Sequence, residues 1–290
     1  MKCGLVLEGG AMRGLFTAGV TDVMLERGLT YDGIVGVSAG AVFGCNYKSK
    51  QSGRVLRYNL RFSRDPRYCS LRSWLRTGDL YGADFCYRVI PDKLDLFDRE
   101  TYAANPMDFY VVCTDAETGR AVYRNCLTGD EEDLLWMRAS ASMPLASRVV
   151  EIDGYKLLDG GVADSIPIRK AQELGYERCV VVLTRPVDYV KEKDRALPLM
   201  RLALKQYPRL VDTMARRQDI YNETVRYLRE EERAGRVFVL RPEAALPVSR
   251  TEHDPEKLRL AYDQGRAVAE KRMAALLDFL TDETERKETI

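Results

Sequence analysis

The sequence predicts an α/β fold, a three-layer α/β/α sandwich on a mostly parallel central sheet. Three observations carry that prediction. Short apolar runs alternate with stretches of helical spacing from residue 3 onward. Two of those runs break into a glycine turn and then continue as a helix. Residues 179–184 form a nearly continuous apolar run, as expected of a strand covered on both faces.

The elements follow in order. Residues 3–8 read as a strand, and 15–27 as a helix from the spacing of Leu15, Phe16, Ala18, Val20, Val23, Met24 and Leu25. Residues 34–37 are a second strand and 39–47 a second helix. Residues 109–114 and 121–124 are strands around a turn at Glu117-Thr118-Gly119. Residues 134–142 are a short helix stopped by Pro144. Asp153-Gly154 is a two-residue hairpin turn leading into a strand that ends near Leu158. A helix over 168–174 is ended by Gly175, and the strand at 179–184 by Pro186. Residues 198–233 read as mostly helical, with Pro208 as a break or an N-terminal helix residue. A last strand at 237–240 and an amphipathic helix over 255–280 follow, then ten polar residues expected to fray. The expected organisation is one domain over 1–290. Residues 52–105 are its cap or insertion, and 190–290 its mostly helical C-terminal part.

Three motifs carry chemistry. In Gly36-Val37-Ser38-Ala39-Gly40 a strand doubles into a helix with serine at the apex. Glycines on either side relieve the clash of such a turn, and the serine oxygen lies beside a helix N-terminus that favours an oxyanion. That names Ser38 as a nucleophile for acyl transfer; a plain glycine turn is the alternative. In Glu8-Gly9-Gly10-Ala11-Met12-Arg13-Gly14 a second glycine turn opens a helix, so its backbone N–H groups suit a developing oxyanion. A dinucleotide site is the competing reading, but it requires an acidic residue closing the second strand, where Ser38 stands. In Asp159-Gly160-Gly161 an aspartate closes a strand and opens a glycine-rich loop, a placement also common for ordinary turns.

Together the three motifs resemble the patatin-like phospholipase family, in which a glycine-rich loop, a G-x-S-x-G serine and a D-G-[GA] aspartate occur in this order. Ala139-Ser140-Ala141-Ser142-Met143-Pro144, Glu151-Ile152-Asp153-Gly154 and Ser165-Ile166-Pro167 add to the likeness, which covers residues 3–185. The resemblance implies a Ser38–Asp159 dyad and an oxyanion hole formed by Gly9, Gly10, Ala11 and Met12. Arg13, Gly14, Gly36, Gly40, Gly160 and Gly161 would support these motifs. It also implies lipid acyl esters, such as phospholipids or lysophospholipids, as substrates. Ala11 stands where many relatives have a third glycine, and a side chain there is expected to hold φ negative.

The single histidine, His253, offers the only imidazole for a Ser-His-Asp triad. The chain order Ser38, Asp159, His253 matches α/β-hydrolases, but too few strands precede Ser38 for that fold. His253 sits in a polar stretch before a helix and reads as a loop or capping residue. The dyad therefore leaves Asp159 to accept the Ser38 proton directly. An aspartate of ordinary pKa, ~3.9, is a weak base for this, so partial burial and the glycine-turn amides must contribute. Two rivals remain: an esterase or thioesterase of small acyl groups using the same dyad, and a non-catalytic acyl-lipid binding protein.

A formal charge of +1 argues against bulk nucleic-acid binding. No stretch has the length and apolarity of a membrane span, and the first residues lead directly into a strand without a signal-like segment. The seven cysteines are scattered, with no C-x-x-C pair, which predicts reduced core thiols, a cytoplasmic location and no zinc site. No metal or organic cofactor is expected. Nothing in the sequence fixes an oligomeric state. Residues 52–90 are rich in arginine and aromatics. They read either as a solvated cap whose arginines pair with acids, the favoured reading, or as a surface for peripheral contact with anionic membranes. Leu258, Ala261, Tyr262, Gly265, Val268, Ala269, Met273, Leu276, Leu277 and Leu280 form an apolar stripe expected to pack on the sheet.

Overall fold

The computed structural model describes residues 1–281. Along the chain run β1 (Cys3–Leu7), α1 (Gly14–Glu26), β2 (Gly33–Val37), α2 (Ala39–Lys48), α3 (Arg54–Phe62), α4 (Leu71–Thr77), a π-helical segment Phe85–Leu94, and α5 (Arg99–Ala104). Then come β3 (Asp108–Asp115), β4 (Ala121–Asn125), α6 (Glu131–Ser140), β5 (Val150–Ile152), β6 (Tyr155–Asp159), α7 (Ile168–Glu173) and β7 (Arg178–Val182). The chain continues through α8 (Leu197–Ala203), α9 (Pro208–Arg233), β8 (Val237–Leu240) and α10 (Pro255–Leu280). The polar tail expected to fray lies, from residue 282 on, outside the described residues.

The strands form one sheet in the order β5-β6-β3-β2-β1-β7-β8, with β4 also on β3. The pairs β1–β2, β1–β7, β2–β3 and β7–β8 are parallel; β3–β4, β3–β6 and β5–β6 are antiparallel. Alternation along the strands divides the core. Leu5, Leu7 and Ile34 pack with Phe16, Met137 and Met273 on one face, while Val6, Val35 and Val37 pack with Ile168, Ala171 and Tyr221 on the other. α1, α6 and α10 thus cover one face and α7 and α9 the opposite one, giving the expected three layers. The apolar stripe of α10 buries Leu258, Ala261, Met273 and Leu276, as its spacing predicts, whereas Leu277, also expected in the stripe, is exposed.

Local chemistry explains where boundaries moved. The helix expected over 134–142 begins at Glu131, because the Asp130 carboxylate accepts the Asp133 N–H at 2.9 Å and acids fill the first turn. The strand expected to reach 184 ends at Val182, and 198–233 divides into α8 and α9 with Pro208 opening α9. The Asp153-Gly154 turn has both φ angles positive, 51° and 78°, as a twisted two-residue hairpin requires.

Residues 52–105 hold α3, α4, the π-helical segment and α5, which close over α1 and α2 through Tyr58, Phe62, Phe85 and Ile90. The favoured reading of their arginines holds for the inner ones. Arg54 and Arg57 both pair with the buried Asp95 carboxylate, at 3.2 and 2.7 Å. Arg67 pairs with Asp65 and Arg88 with Asp84.

Candidate active site

Both glycine turns leave the sheet at the carboxyl ends of β1 and β2. The chain steps from β1 to β2 on one side, while β7 lies on the other. Open α/β sheets present their binding crevice at such a point.

Ser38 sits at the apex between β2 and α2 with φ 53° and ψ −122°, a strained conformation for a residue with a side chain. Its neighbours explain why the turn needs glycines. A Cβ on Gly36 would lie 2.8 Å from the Gly40 carbonyl oxygen, and one on Gly40 would clash with that of Leu7. The Ser38 N–H donates to Ser140 Oγ at 2.8 Å, and Ser140 Oγ donates to the Val112 carbonyl. Ser140 is fully buried and pins the strained turn to β3.

The Ser38 hydroxyl donates to Asp159 Oδ2 at 2.8 Å, joining groups 121 residues apart. Asp159 ends β6, whose Cα register pairs it with Cys113 of β3. Its other oxygen, Oδ1, accepts the Gly161 N–H at 2.7 Å, and the Thr114 hydroxyl donates to its main-chain carbonyl at 2.8 Å. Burial raises the Asp159 pKa; the nearby Arg217 charge and the bonds from Ser38 and Gly161 oppose this without cancelling it. The carboxylate is therefore a better base than a free aspartate. His253 lies in an exposed loop before α10, with Nδ1 2.6 Å from the Ser63 carbonyl oxygen, and takes no part in the Ser38–Asp159 pair.

The first glycine loop lies beside this pair. A Cβ on Gly9 would come within 3.0 Å of Ser38 Cβ. The N–H groups of Gly10 and Ala11 have no acceptor among the described residues. Ala11 adopts φ 49°, which corrects the expectation of a negative angle. A non-glycine residue here stores ~1–2 kcal/mol of strain, and the short helical turn Ala11–Arg13 that follows holds it in place. The Met12 side chain is buried in the cluster that holds Phe43 and Tyr58. Gly14 packs where a side chain would meet Ala39 and Phe43, and Gly160 where one would meet the Val112 carbonyl.

Two cavities meet at Ser38, Ala11 and Met143. One, of about 110 Å³, is apolar and runs under the 52–105 segment past Val42, Phe43, Tyr58, Tyr87, Ile90 and Met137. The other, of about 720 Å³, contains Asp159 and is walled by Arg13 and by residues 185–217 and Arg250. Sequence reasoning missed this second wall and the role of Ser140. Ser140 lies in the small-residue run before Pro144, where nothing local marks its hydroxyl as the acceptor for the Ser38 N–H. Among the described residues no group of His, Cys, Asp and Glu is arranged to hold a metal, and no helix is long and apolar enough to cross a membrane.

Residues 5–171 match the family model described as "Patatin-like phospholipase", and residues 207–281 match one described as "Domain of unknown function (DUF6363)". Over 195 residues the chain is 30% identical to "Uncharacterized protein YjjU" of Escherichia coli (strain K12), a match covering 64% of this chain and 52% of that protein. Over 194 residues it is 29% identical to "Lysophospholipase NTE1" of Candida glabrata, covering 64% of this chain and 10% of that protein. The matched stretch is thus about half of the first relative's length and a tenth of the second's. Among solved structures, VipD from Legionella pneumophila superposes with a TM-score of 0.45 at 13% identity, covering 93% of this chain and 67% of that one.

Proposed function

Because the chain belongs to the patatin-like phospholipase family, we propose that it is a serine hydrolase cleaving lipid acyl esters through Ser38 and Asp159. The observation that carries this reading is the 2.8 Å bond from the Ser38 hydroxyl to a buried carboxylate at the mouth of an apolar cavity. Ser38 Oγ attacks the ester carbonyl as Asp159 Oδ2 takes its proton. The carbonyl oxygen, now negative, is held by the Gly10 and Ala11 N–H groups; one such donor is typically worth ~2.7–4 kcal/mol. Asp159 then passes the proton to the departing alcohol. Water, deprotonated by the same carboxylate, attacks the acyl-enzyme, and Asp159 returns that proton to Ser38 Oγ as the fatty acid leaves.

The acyl chain enters the apolar cavity, whose lining of Val42, Phe43, Ile90 and Met137 suits a hydrocarbon chain; a series of esters of rising acyl length separates this from the rival reading, which expects activity to fall beyond short chains. The 1–281 sheet and its layers act as one catalytic unit, since β8 and α10 complete the sheet and its cover. Buried thiols at Cys45, Cys69, Cys113, Cys126 and Cys179 suit a reducing compartment such as the cytoplasm. Peripheral contact with lipid runs through α4, where Leu71, Trp74 and Leu75 are exposed beside Arg72 and Arg76. The Trp74 indole donates to the Leu145 carbonyl at 3.0 Å, which ties α4 to the loop bordering both cavities.

A fluorophosphonate probe tests the central claim. It should label the parent protein at Ser38 and leave Ser38→Ala unlabelled. An unlabelled parent protein points instead to the acyl-lipid binding rival.

A further inference from the structure

The larger cavity is lined by cations that the hydrolysis mechanism does not use. Arg185 and Lys191 follow β7, Arg217 lies on α9, and Arg250 lies in the loop before α10; all face the cavity that holds Ser38 and Asp159. Arg13 faces it from the first glycine loop. None of the ion pairs among the described residues involves any of these five. Arg217 is oriented by donating Nε–H to the Gly161 carbonyl, beside Asp159. Arg185 stacks on the Tyr189 ring at 4.3 Å, and Lys191 lies 4.8 Å from the centre of the Tyr221 ring.

The carboxylates in the same cavity do not balance this charge. Glu8 is buried and already accepts from the Thr184 main chain and hydroxyl and, at 2.8 Å, from the Tyr221 hydroxyl. Asp159 is engaged by Ser38 and Gly161. Asp188, Glu192 and Asp194 are exposed at the rim, as Arg250 is, and Lys193 and Arg195 accompany them; Asp159 and Asp194 pull on Arg217 but do not offset its burial. The cations act on one another. Burial, Arg217, Arg250 and Arg13 push Lys191 down to about 7, against an opposing pull from Glu8. Burial, Arg185 and Arg250 push Arg13 down to about 10. Arg13 Nε is also buried without a hydrogen-bond partner. Like charges gathered in a half-buried cavity cost stability unless an anion joins them.

We propose that Arg185, Lys191, Arg217 and Arg250 form a head-group site for a phosphate-bearing anionic ester, making the enzyme selective for anionic over zwitterionic or neutral lipids. This rests on the hydrolase reading. The acyl chain lies in the apolar cavity, the ester carbonyl at Ser38, and the phosphate among the four cations. The site comes from residues beyond 171, where the patatin-like match ends, so selectivity is added to the dyad by the C-terminal part of the chain.

The test compares kcat/KM for three esters of one acyl chain: a lysophospholipid with a terminal phosphate monoester, its phosphocholine counterpart, and the neutral monoacylglycerol. The phosphate ester should be preferred about tenfold or more, since each charge-assisted contact is worth a factor of that size. Lys191→Glu and Arg250→Glu should cut the ratio of anionic to neutral kcat/KM at least tenfold through KM, while Lys191→Arg should preserve it. Equal or better turnover of the phosphocholine or neutral ester by the parent protein overturns the head-group site and leaves the hydrolase reading intact. If none of the three esters is cleaved, the hydrolase reading fails and the site is judged by binding. Glycerol 3-phosphate should then raise Tm by about 2 °C or more in the parent protein and not in Lys191→Glu. No shift, or an equal shift with inorganic phosphate alone, which marks a free-phosphate site, overturns the proposal.

Discussion

The two cavities that meet at Ser38 are built from different materials. The apolar wall consists of side chains that also make the core: Met137 and Phe97 belong to one cluster with Leu5 and Phe16, and Tyr58 and Ile90 to another. Placing them there lowers the free energy of folding, at roughly 25 cal/mol per Å² of buried apolar surface. The cationic wall does the reverse. Burial and like charge push Arg13, Lys191 and Arg217 all below their ordinary pKa, so their charged forms are less comfortable folded than unfolded. One wall is explained by stability alone. The other requires a ligand.

The largest expected effect removes the junction between the walls and leaves both standing. Ser38→Ala and Asp159→Asn should each lower kcat/KM by about 10³–10⁴-fold or more on every ester, charged or neutral. A loss confined to anionic esters would instead place these residues in head-group binding and dissolve the comparison.

Stability separates the walls next. Phe97→Ala opens a hole beneath residues 52–105 and should cost ~3–5 kcal/mol, read from denaturant unfolding. Lys191→Met removes a charge whose folded state is disfavoured and should leave stability at pH 6 unchanged or higher. If Lys191→Met were as destabilising as Phe97→Ala, the cationic wall would be structural.

The walls also differ in how they were written in the sequence. The Ser38 turn was legible because its steric demands fall within five residues: Gly36 and Gly40 are there because neighbouring main chain leaves no room for a Cβ. Asp159 was legible through the hairpin turn at Asp153-Gly154 that sets its strand. The meeting of Ser38 with Asp159 needed the parallel β2–β3 register and the antiparallel β3–β6 register, neither of which a local window contains. The cationic wall left no mark, since Lys191, Arg217 and Arg250 come from three segments with unremarkable composition. The conspicuous arginine run at 52–90 drew attention instead, yet Arg54 and Arg57 are consumed by Asp95. Composition reveals charge; only the fold tells which charge is paired. The positive φ of Ala11 was unreadable for a related reason, because the penalty is local and what overcomes it is tertiary.

A third contrast couples the two walls through Arg217, whose charge lowers the Asp159 pKa against the stronger effect of burial. Asp159 must be ionised to accept the Ser38 proton, so activity falls as pH drops through its pKa. Arg217→Gln removes the opposing charge and raises that pKa further. The acid limb of kcat/KM on the neutral ester should therefore move to higher pH. A limb that stays in place would mean that Arg217 does not act on the dyad.

The smallest effect is the pH dependence of anion recognition. Lys191 carries a pKa of about 7 in the free protein, so it is charged below that pH and neutral above it. Facing it are Arg217, Arg250 and Arg13, the Glu8 carboxylate and the Tyr221 ring. A bound phosphate stabilises the charged form, raises the Lys191 pKa and takes up a proton on binding. KM for the anionic ester should thus rise a few-fold between about pH 7.5 and pH 9, above the second ionisation of a phosphate monoester at about 6, with kcat following Asp159 instead. The linked effect on folding has a fixed sign. A lysine whose folded pKa lies below its unfolded value binds fewer protons when folded, so stability rises with pH from about 7 toward 10.5. Lys191→Met should flatten both curves in that window. Should KM stay level across the range while the stability slope persists, Lys191 titrates without touching the substrate, and the head group is held by the arginines alone.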